Sequence, residues 1–467
     1  MPKVLLINPP TEGLVGKNTK KFHRRFPPLE LLLSATLLRE IGWEVELHDL
    51  NADPNKTVEQ SILSAKSADY VVCTTNPYAD WQCPSFAIST ALNLAQKFPG
   101  DKLIIIGNHG SHYPGSLIRN TGAKVVIRNE PEFTLLEMAK NFNQSLAAQD
   151  LSNILGISYR KENGENVHNQ KRDLGKVDEL PFPAYDLVKV ENYYYELLGS
   201  NFALLEASRG CPFSCNFCNL SMFQNSYRKS SIDRFLEQID KLILEHGCRS
   251  LYIFDLEFTI NKKMVKAVCE HIIKKNYVKD YGFRWACQTR ADTIQKGELL
   301  DAMRDSGCKL IHFGVEAGNK QILENTNKRI DKENIKIGIK ATKDAGIKAA
   351  AFFIFGHPQE TEANYQETLD FALELSPDYA SFHPLLPFPG SPLFEEKFGK
   401  SPYWEEDIKL DLTYFTKEQQ NVLNKFVRKA YLRFYLRPTY LLSQIFHGDF
   451  DLYLRQFNLF KAFVLSK

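Results

Sequence analysis

Short apolar runs alternate with amphipathic stretches in two separate parts of this 467-residue chain. In the first part, five runs have the composition of buried strands; they begin at Lys3, Trp43, Asp69, Lys102 and Ala123. The helical patterns between them make a βαβ alternation, which predicts a parallel, doubly wound sheet of about five strands. The ligand of such a sheet is expected beyond the carboxyl ends of its strands.

The alternation returns six times after residue 201. The predicted strands begin at Phe202, Ser250, Tyr281, Leu310, Lys348 and Asp378. Helical patterns separate them, and one of these patterns starts after Ser231, a residue type that commonly caps helices. Six βα units are fewer than the eight of a closed barrel.

The segment between the two parts has weaker periodicity and contains Pro181 and Pro183, which interrupt helices. A chain of this length exceeds one ordinary core, and 43% apolar residues support more than one. We therefore predict an α/β protein with a first domain at 1–143, a linker at 144–201, a partial barrel at 202–395 and a helical region at 396–467.

Three cysteines, Cys211, Cys215 and Cys218, follow the first strand of the second part in the stretch SRGCPFSCNFCN. A [4Fe-4S] cluster ordinarily takes four cysteines, so three ligands leave one iron open to a small molecule. A zinc site would need a further paired Cys or His motif, and no such pair follows. The triplet therefore predicts an iron–sulfur cluster with an open iron.

The triplet, Phe217 before its last cysteine and the strand-end motifs that follow resemble the radical S-adenosylmethionine (SAM) enzymes that carry an N-terminal cobalamin-binding domain. The resemblance covers nearly the whole chain. It implies a cobalamin-binding, Rossmann-like first sheet and a partial (β/α)6 barrel that is open on one side for substrate. It also implies three cofactors: the [4Fe-4S] cluster, SAM and cobalamin.

Ligand-type residues stand at the carboxyl ends of the barrel strands, where barrel enzymes keep their chemistry. The candidates for SAM are Asp255, Glu257, Arg290, Gly314 and Glu316, together with Phe217. Carboxylates suit the amino and ribose groups of SAM, an arginine suits its carboxylate bidentately, and glycine permits close approach. After the fifth strand the family's G-x-P-G-E-T run reads Gly356-His357-Pro358-Gln359-Glu360-Thr361, which departs from it, and His357 is assigned no catalytic role. We expect Cys287, inside the third strand, to be a packed core residue.

The ends of the first sheet's strands supply the candidates for cobalamin: Asn8, Thr74, Thr75, Asn108, His109 and Glu130. Neither the dinucleotide fingerprint nor the nucleotide-triphosphate loop occurs there. The family's G-G-P-H and G-E-G-E loops read G-N-H-G (107–110) and N-E-P-E (129–132). No histidine has an Asp two residues before it, which predicts cobalamin without a histidine from the D-x-H-x-x-G motif below its metal. A degenerate domain without the cofactor, with His109 and His112 in an ordinary polar loop, stays an alternative.

The resemblance implies that a 5′-deoxyadenosyl radical abstracts a hydrogen atom from an unactivated carbon, and that the resulting substrate radical takes a methyl group from cobalamin. The predicted function is a cobalamin-dependent C-methyltransferase. The alternatives are a radical cyclase or rearrangement enzyme and, from another class, a non-catalytic iron–sulfur or corrinoid sensor. A methylthiotransferase would need three further cysteines in the first domain, where only Cys73 and Cys83 occur.

Charge and targeting signals limit the partners. The net charge of +2 gives no support for a nucleic-acid partner. No signal peptide or membrane-spanning run is recognisable, and nine cysteines suit a reducing compartment, so we expect a cytoplasmic protein. A small-molecule substrate and an electron donor such as flavodoxin or ferredoxin are implied. The basic, aromatic segments 426–446 and 451–465 are expected to close the barrel or pack between domains; a peripheral membrane contact or a hydrophobic substrate is the alternative.

Overall fold

The computed structural model describes residues 1–10, 24–77, 88–399 and 414–447, with side chains as far as residue 442. Within these ranges the strands are β1 Lys3–Asn8, β2 Glu44–Asp49, β3 Tyr70–Thr74, β4 Leu103–Ile106, β5 Val125–Ile127, β6 Ile157–Arg160, β7 Asn166–His168, β8 Tyr194–Tyr195, β9 Gly199–Ser200, β10 Phe202–Leu205, β11 Ser208–Gly210, β12 Tyr227–Lys229, β13 Ser250–Ile253, β14 Arg284–Thr289, β15 Cys308–Glu316, β16 Lys348–Phe355 and β17 Tyr379–Pro384. The helices are α1 Leu29–Glu40, α2 Val58–Ser67, α3 Ser89–Ala95, α4 Asn108–His112, α5 Pro114–Thr121, α6 Glu132–Lys140, α7 Ile232–Leu244, α8 Lys262–Lys274, α9 Tyr277–Tyr281, α10 Glu298–Asp305, α11 Lys320–Asn325, α12 Lys332–Asp344, α13 Glu362–Leu375, α14 Pro392–Phe398, α15 Lys417–Tyr435 and α16 Pro438–His447.

The first sheet has the order β2-β1-β3-β4-β5-β6-β7. Strands β1 to β5 are parallel and match the five predicted runs, while β6 and β7 extend the sheet in antiparallel pairing. These last two strands come from the segment that the sequence predicts as a linker, so the sheet has seven strands instead of about five. The division of the chain into domains stays a prediction.

Helices cover both faces of the first sheet. Leu31 of α1 and Leu135 of α6 belong to the core on one face, and Leu94 of α3 and Leu117 of α5 to the core on the other. Strands buried on both faces are apolar along their whole length, as Leu103–Ile106 is. The doubly wound prediction is confirmed.

The second sheet has the order β10-β13-β14-β15-β16-β17, with every pair parallel. All six predicted barrel strands are confirmed. Cys287 is buried with Trp285 in the core between the strands and the outer helices, as expected for a packed thiol. Ser231 is the N-cap of α7, but its side chain makes no capping hydrogen bond; the predicted cap is right in position and wrong in mechanism.

The outer edge of β17 is covered by α15. The Tyr435 hydroxyl donates to the carbonyl of Ala380 (2.7 Å) and accepts from the amide of the same residue (3.0 Å). The Tyr431 hydroxyl accepts from the Phe382 amide. These hydroxyls bind backbone N–H and C=O groups at the edge of β17 that a further strand would otherwise bind. The prediction that this segment packs against the barrel is therefore confirmed for α15. The segment 451–465 lies outside the described residues. None of the helices in the described ranges is long and apolar enough to cross a membrane.

Candidate functional site

The three-cysteine motif lies in the loop of a short antiparallel hairpin, β11–β12, which encloses residues 211–226. All three thiols are half-buried. Burial raises the pKa of Cys211 to about 12, and it also raises the pKa of Cys215. Thiolates are the metal-binding form, so binding of a cluster here must displace protons. The described residues contain no group of three Cys, His, Asp or Glu side chains close enough to hold a single metal ion.

Neighbouring segments hold the cluster loop through its backbone. The amide of Asn216 donates to the carbonyl of Thr326 (3.0 Å), and the carbonyl of Asn216 accepts from the amide of Leu393 (3.0 Å). The Asn216 side chain donates to the carbonyl of Asn325 (2.7 Å). The loop is therefore shaped by the segment after α11 and by the start of α14 as much as by its own sequence.

Asp255 and Glu257, two of the carboxylates predicted to bind SAM, differ in how many oxygens they have left for a ligand. Asp255 is buried and accepts from the Ala207 amide (2.7 Å) and the Ser208 hydroxyl, so both its oxygens hold the start of the hairpin. One oxygen of Glu257 accepts from the Arg290 amide (2.6 Å). Burial raises the pKa of both carboxyls to about 7. Glu257, with an oxygen that no described donor reaches, is the better placed for a ligand.

An ion pair that the sequence reading missed lies beside these carboxyls. The Lys328 ammonium donates to Glu316 (2.6 Å) and to the carbonyl of Gly314 (2.8 Å), and both side chains of the pair are buried. A Cβ on Gly314 would lie 2.4 Å from the Glu316 oxygen and 2.5 Å from the Lys328 nitrogen. Gly314 is therefore needed for the pair to form. Burial alone would lower the pKa of Lys328, but the nearby carboxylates and the Cys215 thiol raise it above its ordinary value.

Arg290 is occupied by the protein. It donates to both oxygens of Asp292 (2.9 and 2.7 Å), to the carbonyl of Lys328 (2.5 Å) and to the carbonyl of Arg329 (3.1 Å). Its guanidinium also lies over the Phe213 ring at 4.1 Å. An arginine has five N–H donors, so one remains, too few for the bidentate contact with SAM that the sequence predicts. Arg290 instead holds the loop that carries Lys328.

Phe217 lies against the end of β16. Its half-buried ring meets the His357 ring edge-on at 5.8 Å. Burial lowers the pKa of His357 to about 4, so the imidazole is neutral, and its Nε2 has no hydrogen-bond partner. Glu360 accepts from the backbone amides of Gly356 and His357, which fixes this turn.

The carboxyl edge of the first sheet is polar, buried and mostly uncharged. Thr75 Oγ1 lies 3.0 Å from His109 Nδ1, and the Thr74 hydroxyl donates to the carbonyl of Asn76 (2.6 Å). Asn8 donates to Asp49 (2.9 Å), while its side-chain oxygen is buried without a partner. Corrin rings carry many amide side chains, and an unpaired acceptor among short polar side chains fits such a group. The segments after β1 and β3, 11–23 and 78–87, lie outside the described residues.

This edge touches the cluster loop directly. The Asn219 amide group donates to Asn108 (3.2 Å), His112 Nε2 lies 2.7 Å from the Ser221 hydroxyl, and the Asn129 amide group donates to the Ser221 carbonyl (2.9 Å). Of the predicted cobalamin residues, Glu130 does not share the edge's contacts; it binds Arg209 and Arg228. The structure thus brings Thr74, Thr75, Asn108 and His109 together and assigns Glu130 a different partner.

The described interior of the barrel is largely uncharged and aromatic; the Arg24 guanidinium lies over the Tyr195 ring and is paired with Glu196. His312 lies between the hydroxyls of Tyr195 (2.9 Å) and Tyr252 (3.1 Å), and burial lowers its pKa to about 3. The His383 ring is stacked with that of Phe352. His383 is exposed to solvent, yet desolvation lowers its pKa to about 4. Both observations hold for a side chain that lines an accessible recess enclosed by protein.

A partial parallel barrel with three thiols and paired charges at its rim defines an iron–sulfur barrel enzyme. The sequence profile of the radical SAM superfamily matches residues 205–372. The chain is 31% identical over 461 residues to the uncharacterized methyltransferase PH0819 of Pyrococcus horikoshii, covering 96% of this chain and 95% of that protein. The chain therefore belongs to the radical SAM superfamily, in the family of this relative. The protein is therefore an enzyme, and the alternative of a non-catalytic iron–sulfur or corrinoid sensor is wrong.

Further similarities span both halves of the chain. The anaerobic magnesium-protoporphyrin IX monomethyl ester cyclase of Rubrivivax gelatinosus is 28% identical over 433 residues, covering 89% of this chain and 75% of that protein. The cobalamin-dependent SAM radical enzyme OxsB superposes with a TM-score of 0.70 at 19% identity, over 98% of this chain and 72% of OxsB. The radical SAM methyltransferase TsrM of Kitasatospora setae gives 0.64 at 17% identity, over 85% and 74%. The two-part fold is shared with both.

Proposed function

We propose that this protein is a cobalamin-dependent radical SAM methyltransferase that acts on an unactivated carbon of a small, hydrophobic molecule. One observation carries the proposal: the polar edge of the first sheet contacts the cluster loop, with 3.2 Å between Asn108 and Asn219. A cofactor at that edge would lie beside one at the barrel rim. When bound, the cluster and SAM supply a carbon radical, and cobalamin supplies a methyl group. The methyltransferase relative and the folds of OxsB and TsrM support this assignment.

At the barrel rim, Cys211, Cys215 and Cys218 would hold three irons and leave the fourth open. Lys328 makes two hydrogen bonds to described residues, so its ammonium keeps a third N–H for the SAM carboxylate. Glu257 and Glu316 suit the amino and ribose groups. Asp255 and Arg290 would act behind them, by holding the hairpin and the Lys328 loop in place.

At the first sheet, the short polar side chains at the strand ends would bind the amide groups of the corrin. Asn8, Thr74, Thr75, Asn108 and His109 are the residues we assign to this role. His109 is buried and in contact with Thr75 and Phe388. Because the sequence has no D-x-H-x-x-G motif, we propose that no histidine of this type binds the metal.

The barrel interior supports the substrate class. His312 and His383 are neutral there, and the facing side chains Tyr252, Gln288 and Phe352 carry no charge. The nearby cation, Arg24, is already paired with Glu196. A charged group buried among them would lose its hydration without gaining a partner. We infer that the part of the substrate inside the barrel is uncharged and largely apolar.

The second candidate is a radical cyclase. The similarity to the anaerobic magnesium-protoporphyrin IX monomethyl ester cyclase over 89% of this chain favours it over other rearrangements. In either case the enzyme needs an electron donor, for which flavodoxin or ferredoxin in the cytoplasm is our proposal. A peripheral membrane contact through the basic C-terminal segments is the proposed route to a lipid-like substrate.

Anaerobic reconstitution with iron, sulfide and cobalamin, followed by incubation with SAM and a reductant, tests the proposal. Methylation predicts both 5′-deoxyadenosine and S-adenosylhomocysteine among the products. 5′-Deoxyadenosine alone would favour the cyclase. If protein with all three thiols intact forms neither product, both candidates are contradicted.

Two cysteine variants sharpen the experiment. Cys215→Ala should lose the electron paramagnetic resonance (EPR) signal of the reduced [4Fe-4S] cluster, because one iron then has no protein ligand. Cys287→Ala is the control, since this thiol is packed in the core and is not one of the three loop cysteines, and its loss should leave the signal unchanged. An unchanged cluster signal in Cys215→Ala would show that the ligand assignment is wrong.

A further inference from the structure

We propose that Glu130 is the positioning residue through which the first sheet holds the cluster loop in its binding shape. Its carboxylate bridges Arg209 and Arg228, the two arginines of the hairpin stem, and this bridge makes cluster assembly depend on the docked first sheet. The inference rests on the proposed function only in that the loop holds a [4Fe-4S] cluster. The role differs from the cobalamin contact that the sequence alone suggests for Glu130.

The register of the β11–β12 hairpin brings two arginines together. Arg209 of β11 is directly opposite Arg228 of β12 in the antiparallel pair. Like charges at such positions repel and destabilise the pairing of the strands. One oxygen of Glu130 accepts from Arg209 (2.9 Å), and the other accepts from Arg228. The carboxylate thus lies between two cations that would otherwise oppose closure of the stem.

The bridge is buried within a larger ionic group. Arg209 also donates to Glu132 (2.7 Å) and to Glu206 (2.5 Å), and its side chain has no exposed surface. Arg234, half-buried on α7, is a further cation close to Asp178, Glu206 and Arg209. Removal of the Glu130 carboxylate takes away the charge that lies between Arg209 and Arg228 and leaves these two guanidiniums facing each other. Breaking a buried pair in this way is costly because water cannot reach the charge that remains.

The ionic group links distant parts of the chain to the cluster ligands. Glu130 and Glu132 follow β5 of the first sheet, whereas Arg209 precedes Cys211 by two residues. The loop 211–226 closes through the Arg209–Arg228 stem. No described hydrogen bond or ion pair joins Glu130 to the three thiols, so we expect its effect on the cluster to pass through the stem that it bridges.

The charge-neutral, nearly isosteric variant Glu130→Gln tests the bridge. After anaerobic reconstitution with iron and sulfide alone, we expect at least threefold less cluster iron per chain than in the wild type. The EPR line shape of the remaining reduced cluster should also change. The double variant Glu130→Gln/Arg228→Gln should regain most of the iron, because loss of one arginine removes the repulsion. Glu165→Gln, at an exposed carboxylate of the same sheet, is the control and should match the wild type.

Each outcome decides the proposal. Equal iron and an identical EPR signal in Glu130→Gln would overturn it, and so would a double variant no better than the single one, since the charge bridge would then not be the cause. If Glu130→Gln does not fold, Arg228→Gln alone is informative: the proposal expects it to keep its cluster, and loss of the cluster would contradict the bridge. A wild type that assembles no cluster would instead contradict the proposed function.

Discussion

The carboxyl ends of the first sheet and of the barrel have the same position in a parallel fold but different chemistry. At the first sheet's edge, the residues assigned to cobalamin are neutral groups, such as Thr75 and His109, which hydrogen-bond to one another. The charged Glu130 at this edge is bound by Arg209 and Arg228. The barrel rim uses charges, among them the buried pair of Lys328 and Glu316. Neutral edges suit a ligand that presents amides, and paired charges suit a zwitterion. The comparison suggests that each edge is built for a different cofactor.

The largest expected effect is at the charged rim. Lys328→Met leaves the buried carboxylate of Glu316 without its cation, which costs about 3–5 kcal/mol in comparable buried pairs. We expect a clear fall in the thermal unfolding midpoint of the protein without added cofactors. Lys328→Met/Glu316→Gln should recover much of the loss, because no unpaired charge remains. Equal loss in the single and double variants would show that the ion pair is not what stabilises the rim.

Asp255 and His112 should contribute to the pH dependence of stability with opposite signs. Burial raises the pKa of Asp255 from 3.8 to about 7, so the folded protein keeps a proton that the unfolded chain releases, and stability falls as pH rises from about 4 to 7. Burial lowers the pKa of His112 from 6.5 to about 3, so the unfolded chain takes up a proton that the folded protein refuses. Stability from His112 is therefore lost as pH falls below 6.5. Each slope approaches about 1.4 kcal/mol per pH unit.

Two substitutions separate these slopes. Asp255→Asn should flatten the loss of stability between pH 4 and 7, and His112→Asn should flatten the loss below pH 6.5. Urea unfolding measured across pH 4 to 8 gives both slopes, and each variant is the control for the other. If both variants keep the wild-type profile, other groups dominate the pH dependence and the opposite slopes assigned to these two residues are wrong.

The smallest expected effect comes from neutral hydrogen bonds. Thr75→Val keeps the shape of the side chain but removes its bond to His109, which should cost about 1 kcal/mol. Thr259→Val is the matched change in the barrel, where the hydroxyl lies 2.6 Å from that of Thr289. Similar shifts in the unfolding midpoint would show that the two regions differ in charge alone. A far larger loss at Thr75 would mean that the first sheet's edge is not held by ordinary neutral bonds.

Most elements of the fold were predictable from the sequence because their signals are local. The central parallel strands are apolar runs of a few residues, as Val125–Ile127 and Leu103–Ile106 are, and burial on both faces requires that composition. Strands β6 and β7 were missed because they are short, half-polar and antiparallel at the sheet's end. The three cysteines were predictable for a similar reason, since their spacing lies within eight residues.

The partners of the charged residues were not predictable. Lys328 lies in a loop after α11, away from any strand end, so reading the strand ends did not find it. Arg290 was assigned to SAM because it stands at a strand end, but its guanidinium is used by Asp292 and by two carbonyls of the Lys328 loop. The chemistry of a side chain follows from its residue type. How many of its hydrogen-bond donors and acceptors remain unused depends on what packs against it in the fold.

The sequence by itself determined the two rounds of βα units, the three-thiol loop and the superfamily, because apolar periodicity and motif spacing act over short stretches of chain. Only the tertiary structure decided which charges meet. Arg209 and Glu130 are 79 residues apart, and Lys328 and Glu316 meet only where Gly314 leaves room for them. Buried charges need partners from wherever the fold can supply them, and that choice is made by packing across the whole molecule.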